Sequence, residues 1–446
     1  MKLLIVSYDF PPIGGVSVQR VLSLVKYLPE NGFDVSVVTA RNAASPVFDP
    51  ALLEQIPSSV RVHRVWTPEL SYRVKTKLWS LISRGSRAGA AGAGSGRKGL
   101  KSRAADILKT IFSPDPHVVW VPFALRRARK IVRRDGVDAV LVTAPPFSAF
   151  LIGNALKREF PGLRLVSDFR DEWLRYLLKD FDFFQGSAAQ RKAAVIEKET
   201  VALSDLVVAV TQSSIAQLRQ RYPEQPQEKF AMVPNGYDPA AFARFRPRPR
   251  AGDRILVAYV GTVYSVCSPR YYLDALDQLP EEVRDRFETV FVGRVVEDER
   301  KYLEGRKSRV RVRGFLPQGE ALAQIEEADY VLLTVANDFC IAGKLFEYLA
   351  ARKPVIAITP PDGETGRLVA ETGGGWCVDP RDSGGIRKLL DRLHGEWQAG
   401  ISSFAPLPHR IREYERPRLA GRFAALLKQA CGAHPPARAN QEAQRV

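Results

Sequence analysis

The stretch that decides the fold is residues 3–39, LLIVSYDFPPIGGVSVQRVLSLVKYLPENGFDVSVVT. Residues 3–7 form a short apolar run without alternation, which is typical of a parallel strand buried on both faces. Residues 35–39 form a second such run, and Gly32 is predicted to end the helix between the two. The stretch therefore predicts a β-α-β unit of a doubly wound parallel sheet. The helix is indicated by apolar side chains at the spacing of one helix face, Val18, Val21, Leu22, Val25 and Leu28.

The same alternation of strand and helix signals continues through the 446 residues in two series. Asn235-Gly236 and the basic, proline-spaced residues 244–250 separate the two series, so the chain predicts two consecutive α/β domains. The first series predicts further strands at residues 139–143, 163–167, 206–210 and 230–233. The second series predicts strands at residues 255–260, 289–292, 310–313, 330–334 and 354–358.

We expect the first domain to span residues 1–240 and to carry a flexible, basic insertion at about 71–116. Residues 85–100 of that insertion, GSRAGAAGAGSGRKGL, are of low complexity. The second domain is expected at residues 241–405. Residues 406–430 contain a predicted C-terminal helix, and residues 431–446 a tail.

The net charge of +17 is concentrated in one part of the chain. Residues 61–134 contain 18 basic and three acidic residues, a net of +15, whereas residues 251–446 contain 28 basic and 27 acidic residues, a net of +1. Such a local field indicates a polyanionic partner, either an anionic membrane surface or a nucleic acid. Residues 74–82, VKTKLWSLI, combine apolar side chains with lysines, as interfacial segments do. The region has little aromatic interleaving and no nucleic-acid-binding motif, so we expect the membrane surface and no nucleic acid.

The cysteines and histidines predict neither a disulfide framework nor a metal site. The four cysteines are far apart, and the five histidines form no metal-binding pattern. The pattern Asp180-Phe-Asp182 follows no predicted strand and is interpreted as solvated surface rather than a metal–nucleotide motif. Neither a signal peptide nor an apolar run long enough to span a bilayer is visible. We therefore expect a cytoplasmic protein that lies on the inner face of the plasma membrane.

Two segments of the first domain follow predicted strands and carry candidate ligand-binding residues, since ligands of such sheets bind at the carboxyl ends of strands. Gly14 and Gly15 permit close backbone approach at a helix N-terminus, which attracts phosphate; the alternative is a plain turn. Asp168, Arg170 and Asp171 are costly to bury without a purpose; the alternative is a salt-bridged surface loop.

Residues 343–349 of the second domain, GKLFEYL, give the strongest signal for a site. Lys344 at the start of an apolar helix opposes the helix dipole, which is reasonable where an anion binds as well. Glu347, one turn later, is suited to binding paired sugar hydroxyls. The alternative is an i, i+3 ion pair on a surface helix, worth about 0.3 kcal/mol.

Together these segments resemble the GT-B glycosyltransferases of family 4, which are retaining and use nucleotide sugars. The resemblance covers about residues 1–430. SYDFPPIGG is similar to the family's PPxGG loop, and GKLFEYL follows Gly261-Thr262 and residues 314–317 in the family's order. Residues 143–148 (TAPPFS), 168–173 (DFRDEW) and 233–238 (VPNGYD) are similar to members linked to cell-surface polysaccharide synthesis. The resemblance implies two Rossmann-like domains facing across a cleft, with the last helix crossing back to the first domain.

The resemblance also implies the roles of individual residues. Residues 314–316 would hold the base, Glu347 the ribose and Lys344 the diphosphate, while the glycine loop of the first domain would close over the phosphates. Asp168, Arg170 and Asp171 would lie on the acceptor side. The implied donor-binding residues are Gly14, Gly15, Gly261, Thr262, Arg294, Gly314, Phe315, Leu316, Lys344, Leu345 and Glu347.

The chain departs from the family pattern at two positions. Phe339 stands where the family has the first of two paired acids, of which Glu347 is the second. That first acid usually contacts the transferred sugar, so the donor sugar stays open. Thr262 stands where many members have an arginine for the diphosphate, and either Arg270 or Arg294 would replace it.

The implied reaction moves a hexosyl or related group from a nucleotide sugar to a glycan acceptor, here a lipid-linked one, with retention. Negative charge grows on the leaving diphosphate, where Lys344 would act catalytically without a metal or other cofactor. A diphosphate oxygen would take the acceptor proton, and Asp171 would contact the acceptor. The alternatives are a sugar-nucleotide epimerase or hydrolase on the same fold and a nucleic-acid-binding protein.

Overall fold

The computed structural model describes residues 1–43, 45, 47–69, 114–174, 187–246 and 252–432. The chain forms two compact units. Unit 1 comprises residues 1–210, 214–233 and the chain from Ala420, and unit 2 comprises residues 211–213 and 234–419. The segment 74–82, Asp180-Phe-Asp182, most of the predicted insertion at 71–116 and the tail after Gly432 lie outside the described residues.

Unit 1 is built on a seven-stranded parallel sheet whose strand order reverses between β1 and β4, β3-β2-β1-β4-β5-β6-β7. Such a reversal leaves a crevice at the carboxyl ends of the two central strands, the usual ligand site of open α/β sheets. The strands are β1 Lys2–Val6, β2 Asp34–Ala40, β3 Arg61–Val65, β4 Ala139–Ala144, β5 Arg164–Phe169, β6 Leu206–Ala209 and β7 Phe230–Met232.

The described helices that accompany this sheet bury one apolar face each, as the predicted first helix does with Val18, Val21, Leu22 and Val25. That helix ends at Tyr27, and a short turn closes at Gly32 with a positive φ of 87°. The helices are α1 Val16–Tyr27, α2 Val121–Asp135, α3 Ala149–Glu159, α4 Ser187–Leu203 and α5 Gln212–Arg221.

Unit 2 is built on a six-stranded parallel sheet in the order β10-β9-β8-β11-β12-β13. The strands are β8 Ile255–Val260, β9 Phe287–Val292, β10 Arg309–Gly314, β11 Tyr330–Thr334, β12 Val355–Ile358 and β13 Gly375–Val378. The helices are α6 Arg270–Asp277, α7 Glu281–Arg284, α8 Glu297–Glu304, α9 Gln318–Glu327, α10 Lys344–Ala350, α11 Glu364–Thr372, α12 Ser383–Ala399, α13 Pro408–Arg412 and α14 Arg416–Gly432.

These two sheets confirm the predicted fold class, with differences at the edges. The edge strand β3 was not predicted, because RVHRV is short, basic and only half-buried. The edge strand β13 was not predicted either, since Gly375 opens a run of only four half-buried residues. The predicted C-terminal helix is divided into α13 and α14, and residues from Ala420 onward group with unit 1.

The break between α13 and α14 has a defined partner within unit 2. The Tyr237 amide donates to the Tyr414 carbonyl oxygen at 3.0 Å, and the Arg416 amide donates to the Tyr237 carbonyl oxygen at 2.8 Å. Gly236 lies so close that a Cβ atom there would be 2.1 Å from the Tyr414 oxygen. The segment VPNGYD therefore pairs with the start of the last helix, and Gly236 is required by this close backbone approach.

We expect Gly236→Ala to destabilise unit 2 by roughly 1–3 kcal/mol, because the added methyl group overlaps a backbone oxygen that cannot move alone. Gly395→Ala is the matched control: Gly395 lies in the exposed interior of α12 with open space around it. That change should stabilise by about 1 kcal/mol through helix propensity. Calorimetric unfolding measures both, and equal effects of the two substitutions would contradict the proposed contact.

Candidate functional site

Three neighbouring strands of unit 2 each lead into a glycine with a positive φ. Gly261 follows β8, Gly293 follows β9 and Gly314 ends β10, with φ values of 136°, 128° and 70°. The Gly261 amide donates to the Val292 carbonyl at 2.8 Å, and the Gly293 amide to the Gly314 carbonyl at 2.6 Å. A Cβ atom on Gly293 would lie 2.3 Å from the Gly261 oxygen. The backbone segments at the ends of β8 and β9 therefore pack directly on each other and on Lys344, while the Cβ position of Gly314 is open.

Lys344 brings a cation to this edge. Its Nζ atom lies 3.6 Å from the ring centroid of Tyr259, the penultimate residue of β8, and a Cβ atom added to Gly261 would lie 3.2 Å from the same Nζ. The Nζ atom is buried and has no hydrogen-bond partner among the described residues. An ammonium group that donates no hydrogen bond is costly to keep out of water, and the cation–π contact offsets that cost only in part.

The burial of Lys344 changes its titration. Desolvation lowers the pKa of Lys344 from the usual 10.5 to about 8, and the neighbouring Cys267 and Glu347 oppose this shift. A displacement of that size corresponds to about 3 kcal/mol of unfavourable interaction with the charged form. An anion bound against Nζ would remove this penalty. The site can therefore hold an anionic ligand at a defined atom.

Glu347 lies one turn after Lys344 in α10. Burial raises the pKa of Glu347, and the positive charges of Arg416 and Lys344 oppose the shift. Arg416 is held by a hydrogen bond from its Nε to the Gly236 carbonyl at 3.1 Å. The hydroxyl group of Tyr348 accepts a hydrogen bond from the Val260 amide at 2.8 Å, which fixes α10 to the end of β8. The segments VPNGYD and GKLFEYL thus belong to one network.

Two candidate arginines for an anionic ligand differ in availability. Arg270 is engaged by Glu299 at 3.2 Å and lies over the ring of Tyr302 at 4.2 Å. Arg294 is exposed, directly follows Gly293, and has no side-chain hydrogen bond among the described residues. Thr262 is also exposed, and its carbonyl oxygen accepts a hydrogen bond from the Tyr259 hydroxyl. Of the two arginines, Arg294 is the available one.

Of the remaining predicted donor residues, one is exposed to solvent and the others pack into the interior of unit 2. The side chain of Phe315 is 66% exposed beside Gly314, while Leu316 packs against the apolar cluster under β8 and β9. Leu345 is fully buried in the core, and its amide donates to the Ala342 carbonyl, so neither group faces a ligand. Phe339, which replaces the first acid of the family pair, lies in a loop where Asn337 Oδ1 accepts its amide at 3.3 Å.

In unit 1, the glycine loop follows β1 directly. The Gly14 amide donates to the Val47 carbonyl at 3.0 Å, and Gly14 is buried so tightly that a Cβ atom would be 2.9 Å from the Val47 side chain. Gly15 is exposed with a φ of 91°, and nothing lies within 4 Å of its Cβ position. Gly14 therefore holds the loop in place, and Gly15 is the residue of the two that a ligand can reach.

The acidic segment at the end of β5 is mostly interior. Asp168 is fully buried and forms a two-oxygen ion pair with Arg20, whose Nη2 lies 2.7 Å from Oδ1 and whose Nε lies 2.9 Å from Oδ2. Thr143 donates to the same carboxylate at 2.8 Å, and the Arg20 guanidinium lies 5.8 Å from the ring of Phe423 in α14. The Asp168 carboxylate is therefore occupied inside unit 1 rather than presented to an acceptor.

Arg170 and Asp171 follow, of which Arg170 is buried and Asp171 is half-buried. Arg170 donates to the carbonyl oxygens of Ser17 and Pro145, which joins the loops that follow β1 and β4. Burial raises the pKa of Asp171, and Arg170 opposes that shift. Two residues later Trp173 stacks on Phe147 at 4.4 Å between ring centroids. Arg170 therefore acts as a structural tie, and Asp171 is the half-exposed acid of the segment.

Sequence reasoning did not single out Gly293 or Tyr259. The signal for Gly293 was present, since Val260-Gly261 and Val292-Gly293 are the same dipeptide at the end of adjacent predicted strands. The described residues contain no group of three or more His, Cys, Asp or Glu side chains suited to a metal ion. None of the described helices is both long and apolar enough to cross a bilayer.

Two family descriptions match the chain. The glycosyl transferase 4-like domain matches residues 14–236, and the group 1 glycosyl transferases match residues 254–395. The probable glycosyltransferase WbjE of Pseudomonas aeruginosa is 27% identical over 138 residues, which are 30% of this chain and 34% of WbjE. The chain thus matches about a third of that relative's length.

Solved structures match nearly the whole chain. Sucrose-phosphate synthase of Thermosynechococcus elongatus has a TM-score of 0.67 at 14% identity, covering 97% of this chain and 100% of its own. Anabaena HepE in complex with UDP and glucose has a TM-score of 0.61 at 17% identity, covering 96% and 100%. At these identities the likeness concerns the fold, and it confirms the predicted GT-B architecture of two Rossmann-like domains.

The burial of Lys344 predicts a specific pH dependence of stability. The unfolded chain binds more protons than the folded one between about pH 8 and pH 10.5, so stability should rise with pH over this window. Lys344→Met should abolish that rise and stabilise unit 2 by up to about 3 kcal/mol at pH 7. Urea denaturation at several pH values measures both effects.

Lys353→Met is the matched control. The pKa of Lys353 is also lowered by burial, but its Nζ donates to the carbonyl oxygens of Glu326 at 2.8 Å and Ala328 at 2.6 Å. This substitution should destabilise, because it leaves two buried acceptors without their donor. A loss of stability in Lys344→Met as large as in Lys353→Met would contradict an unsatisfied ammonium at residue 344.

Proposed function

This chain belongs to the glycosyl transferase 4-like family, and we propose that it moves a sugar from a nucleotide-sugar donor to a lipid-linked glycan acceptor with retention. The observation that carries the proposal is the buried Lys344 ammonium without a hydrogen-bond partner among the described residues, next to the backbone of Gly261. This atom is suited to the diphosphate of the donor. We further propose, from the similarity of TAPPFS, DFRDEW and VPNGYD, that the product enters cell-surface polysaccharide synthesis.

The donor lies along the carboxyl edge of β8, β9 and β10. Lys344 and Arg294 contact the diphosphate, and Glu347 accepts hydrogen bonds from the ribose hydroxyls. The base lies against Gly314 and Phe315, whose exposed ring provides an apolar surface. Uridine is the first base to test, because the similar fold of Anabaena HepE binds UDP.

The proposed reaction mechanism follows from the negative charge that develops on the leaving group. Breaking the bond between the sugar C1 atom and the diphosphate oxygen leaves negative charge on the leaving group, and Lys344 stabilises it without reorganisation. The acceptor hydroxyl attacks from the same face, and a diphosphate oxygen takes its proton. No metal or other cofactor takes part. Asp171 contacts the acceptor, while the Arg20–Asp168 pair and Arg170 hold the strand ends in unit 1.

Part of the basic region in unit 1 is suited to an anionic membrane surface on the cytoplasmic side. Trp66 and Phe123 are 53% and 39% exposed and meet edge-to-face at 5.6 Å. Phe123 shares one face of α2 with Arg126 and Lys130, three and seven residues later, which have no ion-pair partner among the described residues. Exposed aromatic rings beside unpaired cations are typical of interfacial membrane binding, whereas nucleic acid is the poorer partner.

The donor site is tested by turnover of UDP-, GDP- and dTDP-sugars with lipid-linked oligosaccharides from bacterial membranes as acceptor. Lys344→Ala should lower kcat by about 100-fold, because a transition-state charge loses its counter-ion. Glu347→Ala should raise the donor KM by about tenfold through the loss of hydroxyl contacts. Full activity of both variants would overturn the donor site. Donor turnover without any dependence on acceptor would instead favour the epimerase or hydrolase alternative.

The membrane surface is tested by vesicle sedimentation. The protein should bind vesicles containing phosphatidylglycerol and not neutral phosphatidylcholine vesicles, and the double variant Arg126→Gln/Lys130→Gln should bind roughly thirtyfold more weakly. Trp66→Ala should also weaken binding, whereas Tyr271→Ala, an exposed aromatic residue of unit 2, should not. Equal binding to neutral and anionic vesicles, or a DNA gel shift at moderate salt without vesicle binding, would exclude this proposal.

A further inference from the structure

A buried carboxylate of unit 1 faces a histidine that neither the motifs nor the proposed mechanism uses. The Glu69 side chain is 1% exposed. One of its oxygens accepts the Tyr8 hydroxyl at 2.6 Å, and the other lies 3.0 Å from Nδ1 of His117. Burying a carboxylate is unfavourable unless its oxygens are paired, and here the two oxygens are paired by Tyr8 and His117.

The cluster of Tyr8, Glu69 and His117 lies at the crevice of the sheet. Tyr8 is the second residue after β1. Asp115 accepts the amides of His117 at 3.0 Å and of Ser148 at 2.7 Å, and Ser148 immediately precedes α3 in the connection from β4. His117 is therefore attached to both loops that flank the reversal of strand order, which is where open α/β sheets bind their ligands.

The geometry determines which ring nitrogen of His117 is available. A carboxylate only accepts hydrogen bonds, so the ring nitrogen that faces Glu69 carries a proton, and in the neutral tautomer the lone pair is then on Nε2. The Tyr8 ring lies 4.3 Å from the imidazole ring at 52° and limits its rotation. The His117 side chain is 26% exposed. The imidazole is thus held by one edge, and its other edge is suited to accept a hydrogen bond from a ligand hydroxyl.

We propose that His117 binds the sugar acceptor: its Nε2 accepts a hydrogen bond from an acceptor hydroxyl next to the one that is glycosylated. Glu69 is a positioning residue, which keeps the proton on Nδ1, and Tyr8 supports Glu69. The inference rests on the proposed glycosyltransferase function, and it adds an acceptor contact in unit 1. A hydroxyl on a neutral sugar is the suited ligand, because an unprotonated ring nitrogen accepts a hydrogen bond and repels an anion.

The kinetic test uses the full chain, UDP-sugars and lipid-linked oligosaccharides. His117→Gln and Glu69→Gln should each lower kcat/KM for the acceptor by about tenfold, the effect of one lost hydrogen bond to a substrate. Donor hydrolysis in the absence of acceptor should stay within about twofold of the wild type. His63→Gln is the matched control, since His63 of the same unit contacts Arg127 at 2.9 Å rather than a carboxylate, and it should leave both rates unchanged.

A spectroscopic readout separates an acceptor contact from a structural role. In the unmodified chain, ¹⁵N NMR of the five histidines, assigned with His117→Gln, should give His117 a protonated Nδ1 and an unprotonated Nε2. Glu69→Gln should move the proton toward Nε2, because the amide group can donate to Nδ1. Addition of the acceptor alone should shift the Nε2 signal. The shift of the Nε2 signal on addition of acceptor to the wild type tests the contact even where a variant fails to fold.

Three results would overturn the inference: a proton on Nε2 in the wild type, equal losses of donor hydrolysis and transfer in His117→Gln, or unchanged acceptor kinetics in that variant. Failure of the proposed function looks different. In that case the wild type transfers no sugar from any donor, whatever the tautomer of His117. The two claims are therefore tested separately.

Discussion

The buried ammonium group of Lys344, which donates no hydrogen bond to any described residue, is the constraint on which the candidate site in unit 2 depends. Gly261 at the end of β8 leaves room for it, and Tyr348 holds its helix against β8. Tyr259 supplies a ring face at 3.6 Å, which stabilises a cation without competing for its hydrogen-bond donors. An unpaired charge of this kind is unfavourable for folding but favourable for binding an anion, which is why we propose Lys344 as the contact for the donor diphosphate.

Unit 1 differs in that it contains a buried pair of opposite charges, Arg20 and Asp168, which satisfy each other. Thr143 donates a further hydrogen bond to Asp168 of the Arg20–Asp168 pair. Removing one partner of such a buried pair typically lowers the free energy of unfolding by about 3–5 kcal/mol. These contacts fix the loops that follow β1, β4 and β5. Between these fixed strand ends, Gly15, Asp171 and His117 remain at least partly exposed.

Buried apolar runs made much of the fold predictable: β8 and β11 lie where their residues indicate, at 255–260 and 330–334. The edge strand β3 was not predicted because basic side chains alternate through it. The break before α14 was not predicted either, since it depends on Tyr237, far away in the chain. The motifs identified the segments of the candidate site, but they did not show which side chains of those segments are free to contact a ligand. The Glu69–His117 pair has no sequence signal, because 48 residues separate the two.

The most direct test of the central claim is the number of protons taken up when UDP binds, from calorimetric titrations at pH 8.5 in buffers of different ionisation enthalpy. With a pKa of about 8, Lys344 is mostly neutral at this pH, and a bound diphosphate should restore its charge. The account predicts uptake of about three quarters of a proton in the wild type and close to none in Lys344→Arg, whose guanidinium is always charged. UDP binding without proton uptake in the wild type, or equal uptake in Lys344→Arg, would contradict it.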